Sequence, residues 1–331
     1  MENRLKYIDI AKGIAIILVV LGHIDFGDNF VCNWIYSFHM PIFFIISGFF
    51  ITSKTINIKD NIIVESKKLL YPYFSFSILA LLYLIIKFIL GSIDFSVLSV
   101  AIIDTITLNG YSALWFLPTL FFSKILVNII ENSNISKKIY IFLILFICLQ
   151  NYLGILDLLS FSILKSIYIF VNRIIISMIF LKIGSILRKH LITKNMNFYF
   201  CILLIIVSLF VSQINGFVDL HYLVLNNSLL YFLLAFVNSY IILSVSKNLE
   251  NIKILDYFGK NSLIIYGTHL TTPLIMICKK IVEFIGISEI IVFDFLVLIM
   301  MLAIEIIIIF LINKYFIWLI KFPKKLKFIK T

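Results

Sequence analysis

The chain has 331 residues, 62% hydrophobic and only 14% charged, with mean hydropathy +1.10 and net charge +11. Soluble chains are about half apolar and about one quarter charged. This composition therefore excludes an ordinary soluble domain, a disordered chain and a disulfide scaffold. A spanning helix uses about 20 apolar residues, so ten of them use about 200. The expected fold is all-α: a polytopic membrane bundle of about ten helices, forming one integral domain over residues 1–331.

The apolar stretches, in chain order, are Ile8–Asp25, Trp34–Ile51, Leu69–Leu90, Leu114–Ile130 and Ile139–Leu153, then Leu164–Leu187, Phe198–Ser212, Ser228–Ser246, Ser262–Ile281 and Ile290–Ile312. They do not alternate, and helices are the default where lipid cannot satisfy backbone hydrogen bonds. The first run follows Arg4 and Lys6, as a signal peptide would. Asp9 and Lys12 interrupt it and no small-residue cleavage site follows, so it reads as the first helix.

The loops carry the topology. Arg4, Lys6, Lys54, Lys59, Lys67, Lys68, Lys137, Lys138, Arg188, Lys189, Lys194, Lys247, Lys253, Lys260 and the lysines of the tail fall on one side. Asp25, Asp28, Asp94, Asp104, Asp157 and Asp219 fall on the other, with Lys279 and Lys280 as exceptions. The positive-inside rule then places both termini in the cytoplasm. The positive excess thus sets orientation, and nucleic acid is not an expected partner. Cys32, Cys148, Cys201 and Cys278 form no CxxC pair, so neither a metal nor a redox site is expected. No HExxH, Walker or GxGxxG pattern occurs.

A titratable side chain inside a span costs about 2.5–3.5 kcal/mol on insertion scales and marks a candidate site. Asp9, Lys12, His23, His39, Arg173, His269 and Glu305 stand in such positions. Lys12 and His23 are eleven residues apart, which places them on one helix face about 16 Å apart. One reading is a cation and a base along an elongated anionic ligand. The other is a snorkelling lysine and a histidine at a helix end.

The segment RLKYIDIAKGIAIILVVLGH, with Lys12, ten residues and His23, resembles the opening of the membrane acyltransferase-3 family. HMPIFFIISGFF (His39 to Phe50) resembles its second-helix motif. LWFLPTLFF (Leu114 to Phe122) and GKNSLIIYGTHL (Gly259 to Leu270) look like later landmarks, similar to those of fucose 4-O-acetylases. The resemblance covers nearly the whole chain. Some relatives carry a further extracytoplasmic domain, which is not expected after the tenth helix here.

The resemblance implies an O-acyltransferase in the cell membrane. It would move an acyl group, usually acetyl, from acyl-CoA to a carbohydrate or lipid-linked glycan hydroxyl, with membrane lipid as its surroundings. His23 is the candidate catalytic base, since a sugar hydroxyl attacks only as its proton leaves. Lys12 and Arg173 are candidates for binding the anionic acetyl-CoA donor. Asp9 is either a partner for Lys12 or a solvated helix start. Arg173 either meets the donor or pairs with Glu305. His39, Trp115 and His269 are candidate substrate-binding residues: His39 would contact the acceptor sugar or orient His23, Trp115 would stack on a sugar, and His269 would assist donor binding. Each has a structural alternative: a helix start before Pro41, an interfacial anchor and a satisfied core histidine. Ser47 is a lesser candidate for an acyl-enzyme nucleophile, its leading reading being close helix approach with Gly48. His190 and His221 read as solvent-facing loop residues. A transporter or flippase of a glycan or lipid-linked substrate is the alternative function. A non-enzymatic scaffold ranks last, since it leaves the intramembrane cations unexplained.

Overall fold

The computed structural model describes residues 5–24, 30–51, 57–133, 138–159, 162–193, 196–287 and 289–323. Asp25, Asp28, Arg4, Lys54, Lys137, Lys194 and the tail from Lys324 onward lie outside them. Among the described residues every regular element is a helix, with no strand and one isolated bridge, Asp219 to Val224. The helices are α1 (Lys6–Gly22), α2 (Phe30–Tyr36), α3 (Pro41–Gly48), α4 (Ile58–Glu65), α5 (Tyr71–Ile89), α6 (Phe95–Ile106), α7 (Phe116–Asn132) and α8 (Ile139–Tyr152). Then come α9 (Ile155–Leu158), α10 (Ser162–Thr193), α11 (Phe198–Asn215), α12 (Ser228–Asn248), α13 (Lys253–Lys260), α14 (Ser262–Thr268), α15 (Leu274–Phe284) and α16 (Ile290–Tyr315).

Local signals set several boundaries. The side chains of Asn57, Asn197 and Asn227 cap α4, α11 and α12 by accepting backbone N–H bonds. Pro41 and Pro72 open α3 and α5, where a missing N–H costs nothing. Gly216 ends α11 at φ +72°, a conformation that other residues enter only with strain.

Seven helical stretches among the described residues are long and apolar enough to cross a membrane. They are Phe30–Gly48, Ile58–Ile89, Ser112–Asn132, Ile163–Arg188, Phe198–Asn215, Ser228–Asn248 and Ile290–Tyr315. Ten were expected, and the three others have physical reasons for falling short. The helix α1 has 17 residues and includes Lys6, Asp9 and Lys12. The helix α8 has only 14. The ninth apolar run breaks after Thr268, and Pro273, which cannot donate to a preceding turn, caps the start of α15. The short apolar helix α6 lies where hydropathy had suggested only a connection. Apolar side chains such as Leu203, Phe210 and Ile214 of α11 face outward, as expected for lipid contact.

The chain forms two compact units. One comprises Met1–Thr55 and Phe122–Ser262, the other Ile56–Phe121 and Leu263–Thr331. In the first, α1 packs on α2, α3, α12 and α13, and α3 packs on α10. Two glycine crossings make these contacts close. A β-carbon on Gly48 would overlap the Leu181 carbonyl, and one on Gly184 would overlap the Ile45 carbonyl. Likewise Gly13 abuts the Leu255 carbonyl and Gly259 the Asp9 carbonyl. Each glycine meets the carbonyl three or four residues before its partner, the pattern of two helices crossing in the same direction. In lipid such backbone approach supplies the van der Waals packing that hydrophobic burial cannot. In the second unit α5 packs on α6, and α15 on α16.

Candidate active site

The site residues of the first unit lie toward two ends of α1. His23 follows its last turn, and the chain returns through α2 and a turn at 37–40 before Pro41 starts α3. Gly22 allows α2 to come close: a β-carbon there would sit 3.2 Å from the Tyr36 ring. The Tyr36 hydroxyl is consequently 3.2 Å from His23 Nδ1. The His39 ring lies 4.7 Å from that of Tyr36 and 6.3 Å from that of His23, centroid to centroid. His39 is buried, at 5% exposure, and its Nδ1 lies 3.0 Å from the Ile35 carbonyl. A carbonyl only accepts, so Nδ1 carries the hydrogen and the tautomer is set. His23 and His39 thus share one cluster, as the reading of His39 as a residue that orients His23 requires. Tyr36 is its third member and was missed by the sequence reading, because an intramembrane tyrosine gives no charge signal.

Arg173 belongs to this end. It stands eleven residues before Gly184 in α10, about 16 Å from the crossing, and His39 stands about 13 Å before Gly48 in the same direction. Arg173 is 2% exposed and acts electrostatically on Asp219 and His221 in the connection between α11 and α12. Burial, with a smaller push from the Arg173 cation, lowers His221 to about 3. Burial raises Asp219, against the backbone N–H groups of His221 and Tyr222 and the charge of Arg173. His221 is therefore half-buried in a folded-back loop, contrary to the solvent-facing expectation. Arg173 and Glu305 fall in different units, and each has neighbours within its own.

The other end of α1 gathers cations. Lys12 is half-buried, its ammonium 5.7 Å from the Phe50 ring centroid. Arg188 donates to the Phe49 carbonyl at 2.9 Å, and Lys247 lies 5.6 Å from the centroid of the Tyr7 ring. Arg188 and Glu250 also act electrostatically on Tyr7. Sequence reading used Arg188 and Lys247 only as topology markers, since their charges lie at helix ends rather than inside runs. Asp9 is 5% exposed, so the solvated-start reading fails: α13 covers it through Gly259. His190, expected in a loop, is helical, because α10 continues to Thr193. Ser47 sits beside the Gly48 crossing, about 12 Å along the chain axis from His39. That placement matches its packing reading rather than a nucleophile beside a base.

The second unit holds the remaining candidates. Trp115 is 4% exposed and Phe116 is buried with it, so Trp115 is a core residue and not an interfacial anchor. The Tyr266 hydroxyl donates to the Ala113 carbonyl, which pins α14 to the turn before α7. His269 is fully buried, with Nδ1 2.9 Å from the Ile265 carbonyl and 3.0 Å from that of Tyr266. Its Nδ1 is therefore the protonated nitrogen, as in His39. The Thr268 hydroxyl lies 2.8 and 2.9 Å from the two carboxylate oxygens of the fully buried Glu305. Asp294, also buried within α16, and, in the first unit, Lys182, paired with Glu131 at 2.7 Å, are intramembrane charges that the sequence reading passed over.

A helical chain with this many apolar spans, and with histidines and cations held inside it, is a multi-pass membrane protein. Its particular kind follows from comparison: residues 5–311 match the model of the acyltransferase-3 family, described as an acyltransferase domain. The chain belongs to that family and is a membrane acyltransferase. No curated protein and no solved structure matches it.

Proposed function

We propose that this chain is an O-acyltransferase that moves an acyl group, most simply acetyl, from acyl-CoA to a hydroxyl of a cell-surface or lipid-linked carbohydrate. It would act in the cell membrane, in ten passes with both termini cytoplasmic, and within the subgroup similar to fucose 4-O-acetylases. The observation that carries this reading is the two-ended first unit. Lys12, Arg188 and Lys247 gather cations at one end, and His23, Tyr36 and His39 meet at the other. Lys12 and His23 stand about 16 Å apart along α1, which suits a long donor with anionic phosphates at one extremity and a thioester at the other.

In this mechanism Lys12 and its neighbouring cations hold the phosphates of CoA as point charges. His23 takes the proton from the acceptor hydroxyl while that oxygen attacks the thioester carbonyl. The tetrahedral adduct collapses, the carbon–sulfur bond breaks, and the CoA thiolate leaves to be protonated. The Tyr36 hydroxyl positions the His23 ring. Arg173, on the histidine side, serves the acyl-bearing extremity of the donor rather than its phosphates. His39, on the histidine side, is assigned to the acceptor, while Trp115 and His269, in the second unit, are substrate candidates by the family resemblance alone. The transporter alternative gains nothing from family membership.

The decisive assay follows acetyl-CoA consumption by the purified protein with candidate sugars and envelope glycolipids. Wild type should form a carbohydrate O-acetyl ester, and His23→Ala should not. Ester formation by His23→Ala at the wild-type rate removes His23 as the base. Absence of ester with every carbohydrate offered to the wild type removes the reading itself.

A further inference from the structure

A cavity of about 270 Å³ lies wholly within the first unit. Its wall includes Gln150 and Asn151 at the end of α8, Asp157 in α9, Tyr168 and Asn172 in α10, and Asn226 before α12. This is near the lower size of pockets that hold small ligands. None of the residues lining it is a lysine or arginine, and its only carboxylate, Asp157, is exposed. The polar chemistry is that of amides and a phenol, which suits a neutral hydroxylated ligand and disfavours an anion.

Asn172 points to such a ligand most directly. It is 2% exposed, and its amide nitrogen donates to the Tyr168 carbonyl at 2.9 Å. That bond settles the amide orientation, since a carbonyl cannot donate. Oδ1 is left as the other amide atom, buried and accepting no hydrogen bond among the described residues. Buried acceptors in folded proteins are nearly always satisfied, so an acceptor at a cavity wall is suited to a ligand hydroxyl. Tyr168 donates to Gln150 Oε1 at 3.3 Å, so Gln150 offers its amide N–H groups as further donors. Asn151 ties α8 to the Asn226 carbonyl at 2.5 Å.

The cavity is also joined to the histidine cluster. The Phe217 ring packs 4.8 Å from the Tyr36 ring, centroid to centroid. Asn226 donates to the Phe217 carbonyl at 2.7 Å, and residues 223–226 of the same connection line the cavity. Asn172 itself immediately precedes Arg173 in α10. One loop thus touches the candidate base cluster with one part and walls the cavity with another.

We infer that this cavity is a subsite for a neutral sugar residue of the acceptor, set beside the residue that is acylated; this rests on the carbohydrate-acceptor reading above. Asn172 Oδ1 accepts from a sugar hydroxyl, and the Gln150 amide donates to a sugar oxygen. A glycerol-based lipid headgroup presents the same hydroxyl chemistry, so the test must separate the two sources.

The protein is placed in phosphatidylcholine nanodiscs, free of glycoside detergent, and saturation-transfer NMR is recorded without any acyl-CoA. The probes are methyl glucoside, methyl galactoside, glucuronate and glycerophosphocholine. Saturation of a neutral glycoside is expected, with glucuronate at least tenfold weaker. Asn172→Leu should abolish it, and Gln150→Leu, at a half-buried position, should weaken it at least fivefold even if the first variant fails to fold. Wild type that saturates no glycoside, or equal saturation in Gln150→Leu, overturns the subsite. Saturation of glycerophosphocholine alone also overturns it, in favour of a lipid site. Glycoside binding with no ester product would instead overturn the transferase reading and leave the subsite standing.

Discussion

The two ends of α1 are built differently. At the cation end the backbone is clamped, by Gly13 on Leu255 and Gly259 on Asp9, while Lys12 and Lys247 hang on flexible stems over aromatic rings. At the histidine end the side chains themselves are held, His39 by the Ile35 carbonyl and His23 by the Tyr36 hydroxyl. The contrast follows from what each interaction requires. Coulomb attraction to phosphate tolerates an ångström of movement, whereas proton transfer needs heavy atoms within about 2.6–3.2 Å. Rigid backbone beneath cations on long stems suits binding, and fixed rings suit a proton-transfer step.

Breaking the shared scaffold should have the largest effect. Gly48→Val puts carbon into the Leu181 carbonyl, with no flexible side-chain end to yield. We expect little folded protein, seen as loss of the monodisperse peak in detergent. A normal yield and melting temperature would show that the α3–α10 crossing is looser than described. Next, at the histidine end, His23→Ala should lower kcat by about 10²–10⁴ while leaving acyl-CoA affinity intact, the usual span for a lost general base. An equal loss of donor affinity would merge the two ends into one.

At the cation end, Lys12→Ala should raise the KM for acyl-CoA roughly tenfold, about 1.4 kcal/mol, with kcat nearly unchanged. Lys12→Arg should restore most of it, since a charge is what the site needs. A fall in kcat alone would move Lys12 out of the binding role. Tyr36→Phe removes one hydrogen bond worth about 0.5–1.5 kcal/mol and should lower kcat about two- to tenfold. It should also shift the pH profile, which a merely structural tyrosine would not do.

The smallest effect concerns His221 near the histidine end. Its folded value, about 3, lies below the ordinary 6.5, so the unfolded loop binds the proton first as pH falls. The loop should therefore lose stability between about pH 6.5 and 3, with no such loss above. Hydrogen exchange over residues 217–224, referenced to His221→Gln, reads this directly. An acid response identical in that variant would place the sensitivity elsewhere.

Much of this was legible in the chain before folding. The hydrophobic runs named lipid as the solvent, because backbone groups in lipid must bond within helices. Lys12 and His23 could be placed on one face because helix geometry is local. The glycine of the FFIISG segment was read as a site of close helix approach, and Gly184, which meets it, lies 136 positions away. What local pattern does not contain is partnership across such separations. Tyr36 beside His23, the cations grouped around Tyr7, and buried Trp115 depend on which helix lies against which. So do the break after Thr268 and the cavity at Asn172. Hydropathy reports how each residue meets solvent, and says nothing of which other residue it meets. The sequence by itself determined an all-α membrane chain with sparse, costly polar groups. Only the tertiary structure decided which of those groups share an end of the bundle, because that choice is made by backbone contact at glycine crossings rather than by composition.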